Sequence, residues 1–223
     1  MDARERSFIE EAQRQHALGC DLDDDAPVDV AFKRDGGVCI FGWPHGKTRL
    51  YHAATRGWCA AINWLIENGA DVHVDYDVRT PLHGAVVYDR RDAAVLLLEA
   101  GARVDDRDRD GWTALNCAAS QDNLNMCKLL LSRGASLDAR DKFGRDPEAL
   151  ARLSGQTTAA DFLAAVRAAG GWRSYCDAQF RDLRRELLAP GAVAESSERL
   201  YARVFVELPN AVFPRVLAFR PDF

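Results

Sequence analysis

Three stretches of the chain repeat one order of apolar and polar positions. KTRLYHAATRGWCAAINWLIENGADVH (47–73), RTPLHGAVVYDRRDAAVLLLEAGARVD (79–105) and WTALNCAASQDNLNMCKLLLSRGASLD (112–138) each hold a threonine near the start and a short alanine-rich stripe. A polar break follows, and then a bulky apolar cluster that ends near a glycine. In the second stretch Leu82, Ala85 and Val86 stand at i, i+3 and i+4, one face of a short helix. Alanines at equivalent places (Ala53-Ala54, Ala85, Ala118-Ala119) let neighbouring helices approach closely, and the bulky filling comes from Trp64-Leu65-Ile66, Leu96-Leu97-Leu98 and Leu129-Leu130-Leu131. Each stretch therefore predicts two short helices packed as a pair.

The ends of these helices carry matching signals. A threonine before the first apolar stripe (Thr48, Thr80, Thr113) suits an N-cap, where its oxygen accepts from amides of the open first turn. Pro81 at the first helical position loses no hydrogen bond and brings its φ already set. Gly69, Gly101 and Gly134 follow the second helix, where a left-handed turn suits glycine. A polar stretch such as ARVDDRDRDGW (102–112) then predicts a projecting, hairpin-like turn.

Two registers give the same period. Thr48, Thr80, Thr113 and Asp146 lie 32, 33 and 33 residues apart, and Gly69, Gly101 and Gly134 lie 32 and 33 apart. With the pattern T-P-L-H-x-A-A followed by x-L-L-x-x-G-A-D, residues 48–166 resemble the ankyrin repeat. Thr80-Pro81-Leu82-His83 keeps the whole signature; the first unit has Arg49 and Tyr51 in place of the proline and histidine, and the third has Ala114 and Asn116. The resemblance implies an all-α solenoid of about three full repeats with degenerate caps. It also implies that His83 bonds locally to Thr80 and the adjoining turn as a structural brace; no nucleophile–base pair accompanies it.

A stack exposes apolar faces at its ends, so the terminal units must differ. Residues 1–24 are expected to form a capping helix and 25–46 an insertion. Val28, Val30 and Phe32 alternate there, as do Val38 and Ile40, around a KRDGG turn, which predicts a short β-hairpin. Repeats are expected over 47–79, 80–112 and 113–145, with a partial repeat over 146–171 opened by Asp146-Pro147. Residues 172–223 leave the period and predict a helical extension, with Tyr175, Phe180, Leu183 and Leu187 at helical intervals. LPNAVFPRVLAF near the end is similar to the first helix of an F-box, and to the closing LP-x-x-L-x-x-L of a SOCS box. Trp172-Arg-Ser-Tyr-Cys176 has the spacing of the earlier SOCS-box helix with a different first residue. That resemblance implies recruitment of elongin and a cullin-type ubiquitin ligase; the other reading of this segment is a cap over the last repeat.

Composition narrows the function. The chain has 223 residues, 48% hydrophobic and 28% charged, with a net charge of −5. That balance speaks against general nucleic-acid binding, and no run approaches the roughly 18 apolar residues of a membrane span. The charged N-terminus MDARERSFIEEAQRQH lacks the apolar centre of a secretory signal. Six scattered cysteines without paired spacing point to reduced thiols in a cytoplasmic or nuclear protein, not to a zinc site. DLDDD lacks the glycine and glutamate of a calcium loop, and GGVC is too short for a phosphate loop. No cofactor and no enzyme chemistry are expected, and a monomer is.

The ankyrin resemblance implies a concave surface of turn tips and first helices that contacts a partner protein. It places Lys47, Tyr76, Arg79, Arg109, Trp112, Phe143 and Arg145 in the turns, and Arg56, Tyr88 and Gln121 late in the first helices. Aromatic and arginine side chains in that set match the composition of interface hot spots. The expected function is a protein-binding scaffold; the alternative is a ligase adaptor working through residues 172–223.

Overall fold

The computed structural model describes residues 1–17, 48–73 and 79–187, with the side chains of Gln15 and of 182–187 left aside. Over these it is helical, with no strand among the described residues. The helices are α1 (Ala3–Ala17), α2 (Arg49–Arg56), α3 (Cys59–Glu67), α4 (Pro81–Val87), α5 (Arg91–Glu99), α6 (Ala114–Ser120), α7 (Leu124–Ser132), α8 (Pro147–Leu153), α9 (Thr157–Ala168) and α10 (Trp172–Leu187). The β-hairpin expected over 25–46 and the segment beyond 187 lie outside the described residues.

The local signals act where the pattern puts them. Thr48, Thr80, Thr113 and Asp146 each sit in extended backbone before a helix and accept from the amide three residues on, at Tyr51, His83, Asn116 and Ala149. Gly69, Gly101 and Gly134 take φ of 94°, 96° and 91°, the left-handed bend that closes the second helix of each pair.

Helices of seven to nine residues are too short to persist alone. Packing holds them. Each pair closes on itself (α2 on α3, α4 on α5, α6 on α7, α8 on α9), and the first helices form an inner row, α2 on α4 on α6 on α8. The second helices form an outer row with α1 against α3, while α10 lies on α9 and α7. Leu50, Leu82 and Leu115 from the inner row and Leu65, Leu97, Leu130 and Leu163 from the outer row are essentially inaccessible to solvent. With Ala53, Ala85, Ala118 and Ala151 between them, they belong to one apolar core running the length of the stack, and Leu150 of α8 is buried as well.

Turns connect one pair to the next. Asp108 N donates to the Trp112 carbonyl and Asp141 N to the Arg145 carbonyl, closing two tight turns. Lys142 N donates to the Asp110 carbonyl at 3.1 Å, tying the second turn to the first. This contact explains Gly111: its φ is 78°, and a Cβ there would stand 3.1 Å from Lys142 N.

Candidate functional site

His83 is the most buried histidine of the inner row and its geometry is fully used. Its Nε2 lies 3.0 Å from the Trp112 carbonyl, so that nitrogen must carry the proton and donate. Nδ1 then accepts from the Thr80 hydroxyl at 2.8 Å. Burial lowers the pKa of the ring against the opposing pull of the Trp112 bond, so the imidazole is neutral near pH 7. The ring joins one repeat to the turn that starts the next.

Two carboxylates hold the turns in shape. Asp108 Oδ1 accepts from the amides of Asp110 and Trp112 at 2.9 and 2.8 Å, and its Oδ2 takes Arg79 Nε at 3.3 Å. Thirty-three positions later Asp141 Oδ1 accepts from Phe143 and Arg145 amides, both at 2.9 Å, and Oδ2 takes Arg145 Nε at 2.7 Å. Burial pushes the Asp141 carboxyl up, but the Arg145 side chain and the two amides outweigh it and hold the group below the ordinary carboxylate range.

These constraints aim the remaining side chains. Arg56, Tyr88 and Gln121 occupy equivalent positions where α2, α4 and α6 end, and all three are exposed. Gln121 Nε2 donates to the Val87 carbonyl at 3.0 Å, and Arg56 lies 5.9 Å from the Trp58 ring centroid. Arg109 and Phe143 are exposed on the turns, while Trp112 is half-buried against the core. Arg145 is half-exposed, with its guanidinium 4.6 Å from the Phe143 ring centroid. Arg79 is likewise only part-exposed beside Asp108. Lys47 and Tyr76 lie outside the described residues.

One exposed residue of this face is absent from the sequence-based set. Leu153 ends α8 in the register of Thr55, Val87 and Ser120, so extending the period one unit further would have found it. An open cleft of about 800 Å³ runs beside this row, lined by Val87, Asp89, Ser120, Gln121, Asn123 and Gln156 among others. Several of its polar groups already serve repeat-to-repeat bonds, such as Asn123 Nδ2 to Asp89 Oδ1 at 2.6 Å and Gln121 Nε2 to the Val87 carbonyl. Burial pushes the Cys117 and Cys127 thiols up to about 12 and Cys176 up to about 11, far from the thiolate state a nucleophile needs. Among the described residues no three His, Cys, Asp or Glu side chains gather as a metal site, and no helix is long and apolar enough to cross a membrane.

The family description "Ankyrin repeats (many copies)" matches residues 82–131, and "Ankyrin repeat" matches 45–74. These two stretches are ankyrin repeats. The ankyrin array is similar to parts of much larger proteins. Human BCL-6 corepressor-like protein 1 is 40% identical over 71 residues, 31% of this chain and 4% of that protein. The Caenorhabditis elegans E3 ubiquitin-protein ligase hecd-1 is 35% identical over 89 residues, 40% of this chain and 3% of the ligase. Mouse protein phosphatase 1 regulatory subunit 12A is 34% identical over 72 residues, 32% of this chain and 7% of the subunit. The chain thus spans only a small fraction of these relatives. Ankyrin repeats are generally non-enzymatic modules that mediate protein–protein contact.

Proposed function

We propose that this chain is a protein-binding scaffold whose partner lies along the inner row of helices and the turn tips, the concave face of an ankyrin stack. One observation carries the reading. Of the large apolar side chains that stay exposed among the described residues, Tyr88 (55%), Phe143 (74%) and Leu153 (68%) all belong to the inner helices or their turns; Met1 is the exception. The outer row keeps its bulky residues covered or half-covered. Uncovered aromatic and aliphatic side chains on one face are the kind that anchor a partner.

The reading includes no catalytic role, and the buried thiols suit a monomer in the reducing cytoplasm or nucleus. The ligase-adaptor alternative gains no support from α10. Trp172 and Tyr175 pack on Phe162 of α9, and Cys176 is buried, so this stretch serves the array itself.

The test is a Tyr88→Ala/Phe143→Ala double variant, used to capture partners from cells beside the wild-type chain. Each true anchor is expected to cost about 2 kcal/mol of binding, some thirtyfold in affinity, with the thermal midpoint unchanged. Undiminished capture by a folded double variant would remove the inner face from consideration.

A further inference from the structure

The structure assigns this face a class of partner: an extended, acidic protein segment carrying aliphatic or aromatic side chains. The inference rests on the inner-face reading above and goes beyond it.

Acids and bases are nearly balanced along the two turn sequences, but the fold turns one acid of each turn inward and leaves the tips richer in cations. Asp108 and Asp141 face inward, their side chains 2% and 0% exposed, consumed by turn amides and by Arg79 and Arg145. Asp105 accepts from the Ser136 amide at 2.9 Å, and Asp106 lies 3.8 Å from His73 Nδ1, both at the start of their turn. Cations point outward. Arg140 and Lys142 are exposed and enter no ion pair with a described residue. Arg107 is exposed, its guanidinium donates to the Arg140 carbonyl, and it enters no ion pair with a described residue. Arg109 is exposed on the same tip but has a partner of its own. Against them stand the exposed Asp110 at the tip and, earlier in the two turns, the exposed Asp105 and Asp138.

The bond from Lys142 N to the Asp110 carbonyl sets the two tips side by side, which makes one basic strip on a chain whose net charge is −5. A local field of sign opposite to the whole chain steers a partner of matching charge and orients it. Phe143 projects within the strip, and Leu153 and Tyr88 are exposed on the neighbouring helices. Cations beside uncovered apolar side chains suit carboxylates alternating with apolar groups. A nucleic acid would answer the charges and leave Leu153 and Tyr88 in water.

The experiment is selection from a random peptide-display library on the folded full-length chain. Controls are Arg140→Glu/Lys142→Glu and Phe143→Ser/Leu153→Ser, each checked by circular dichroism for an unchanged melt. The expected winners carry net negative charge with at least one Leu, Ile or Phe. Their synthetic versions should lose about tenfold or more in affinity on either double variant, and should weaken as salt rises. Neutral or basic winners, or no enrichment over the charge-reversed control, overturn the proposal. So does duplex DNA binding as tightly as the peptides, which would make the strip a phosphate reader. Cellular partners lost with Tyr88→Ala/Phe143→Ala but retained by the charge reversal sink the acidic class and leave the inner face standing. Partners retained by both sink the inner face itself.

Discussion

Asn116 stands where the second repeat has His83, and the substitution leaves a mark. Its Oδ1 accepts from the Thr113 hydroxyl at 3.3 Å, but its buried Nδ2 meets no acceptor among the described residues. The asparagine side chain is shorter than imidazole and stops short of the Arg145 carbonyl, which stands in the register of the Trp112 carbonyl that His83 reaches. A buried donor without a partner costs about 1–3 kcal/mol. Asn116→His should recover about 1 kcal/mol, seen as a higher urea midpoint at unchanged slope; a lower midpoint would mean the ring has no room. His83 makes the complementary prediction through pH. Its folded pKa lies below the ordinary 6.5, so between the two values the unfolded chain binds a proton that the folded chain refuses. Stability is therefore full above about 6.5 and falls as pH drops below it. Replacement by Gln should flatten that slope between pH 7 and 5, measured by denaturant titration. Asp141 acts in another window, since its depressed pKa yields stability lost only below the ordinary carboxylate value of 3.8. The histidine's role is legible in Thr80-Pro81-Leu82-His83 because a helix start is local. The orphaned amide is not, because it depends on a distance between repeats.

At the level of helices the same division holds. Thr48, Thr80, Thr113 and Asp146 cap the inner row from three residues away, and such spacing shows in any reading of the chain. In the outer row α7 is capped the same way, by Asn123 accepting from the Met126 amide, but α3, α5 and α9 have no side-chain cap of their own. Helix α3 starts after Trp58, which offers no side-chain acceptor. Its amides at Ala60 and Ala61 donate instead to Glu5 Oε1 at 2.9 and 3.3 Å, from a helix 55 residues earlier. Helix α9 likewise lacks its own cap, and Ala159 N donates to Asp122 Oδ1 at 2.6 Å. Asp122 takes φ of 56° where the first and fourth pairs have Gly57 and Gly155. Caps from a distant element leave no periodic trace, so Glu5 reads in sequence as one more surface acid. It is buried, 6% exposed. Glu5→Ala should remove about 1–2 kcal/mol, while Glu5→Gln keeps an acceptor and should lose less. Chemical denaturation of the two variants decides it; equal losses would mean that the charge, not the acceptor, matters. The inward turn of Asp108 and Asp141 escaped the sequence for a related reason: a turn with balanced charges does not say which sign faces out.

Across the whole molecule, the ends of the stack decide how far its order extends. Where the first three inner helices bury Leu50, Leu82 and Leu115, α8 carries Glu148, and where they bury Ala54, Val86 and Ala119 it carries Arg152. Glu148 pairs with Arg152 at 3.1 Å and with Arg167, which also reaches Asp146 at 2.9 Å. A face built to receive another repeat is thereby turned polar. Helix α10 covers the outer side, where Trp172 and Tyr175 stack at 5.9 Å between centroids and both meet Phe162 edge-on. In a linear stack each unit is held mainly by its neighbours, so damage at one end should stay near that end. Trp172→Ala removes a half-buried ring and should cost about 1–3 kcal/mol. Hydrogen exchange read by mass spectrometry should then speed up in α9 and α10 well before α4, whose neighbours α2, α5 and α6 are untouched. A uniform acceleration across α2 to α10 would instead mark the array as one cooperative unit. The inner face would then be stiffened by its far end, and a partner on Tyr88 would sense the loss of a tryptophan it does not touch.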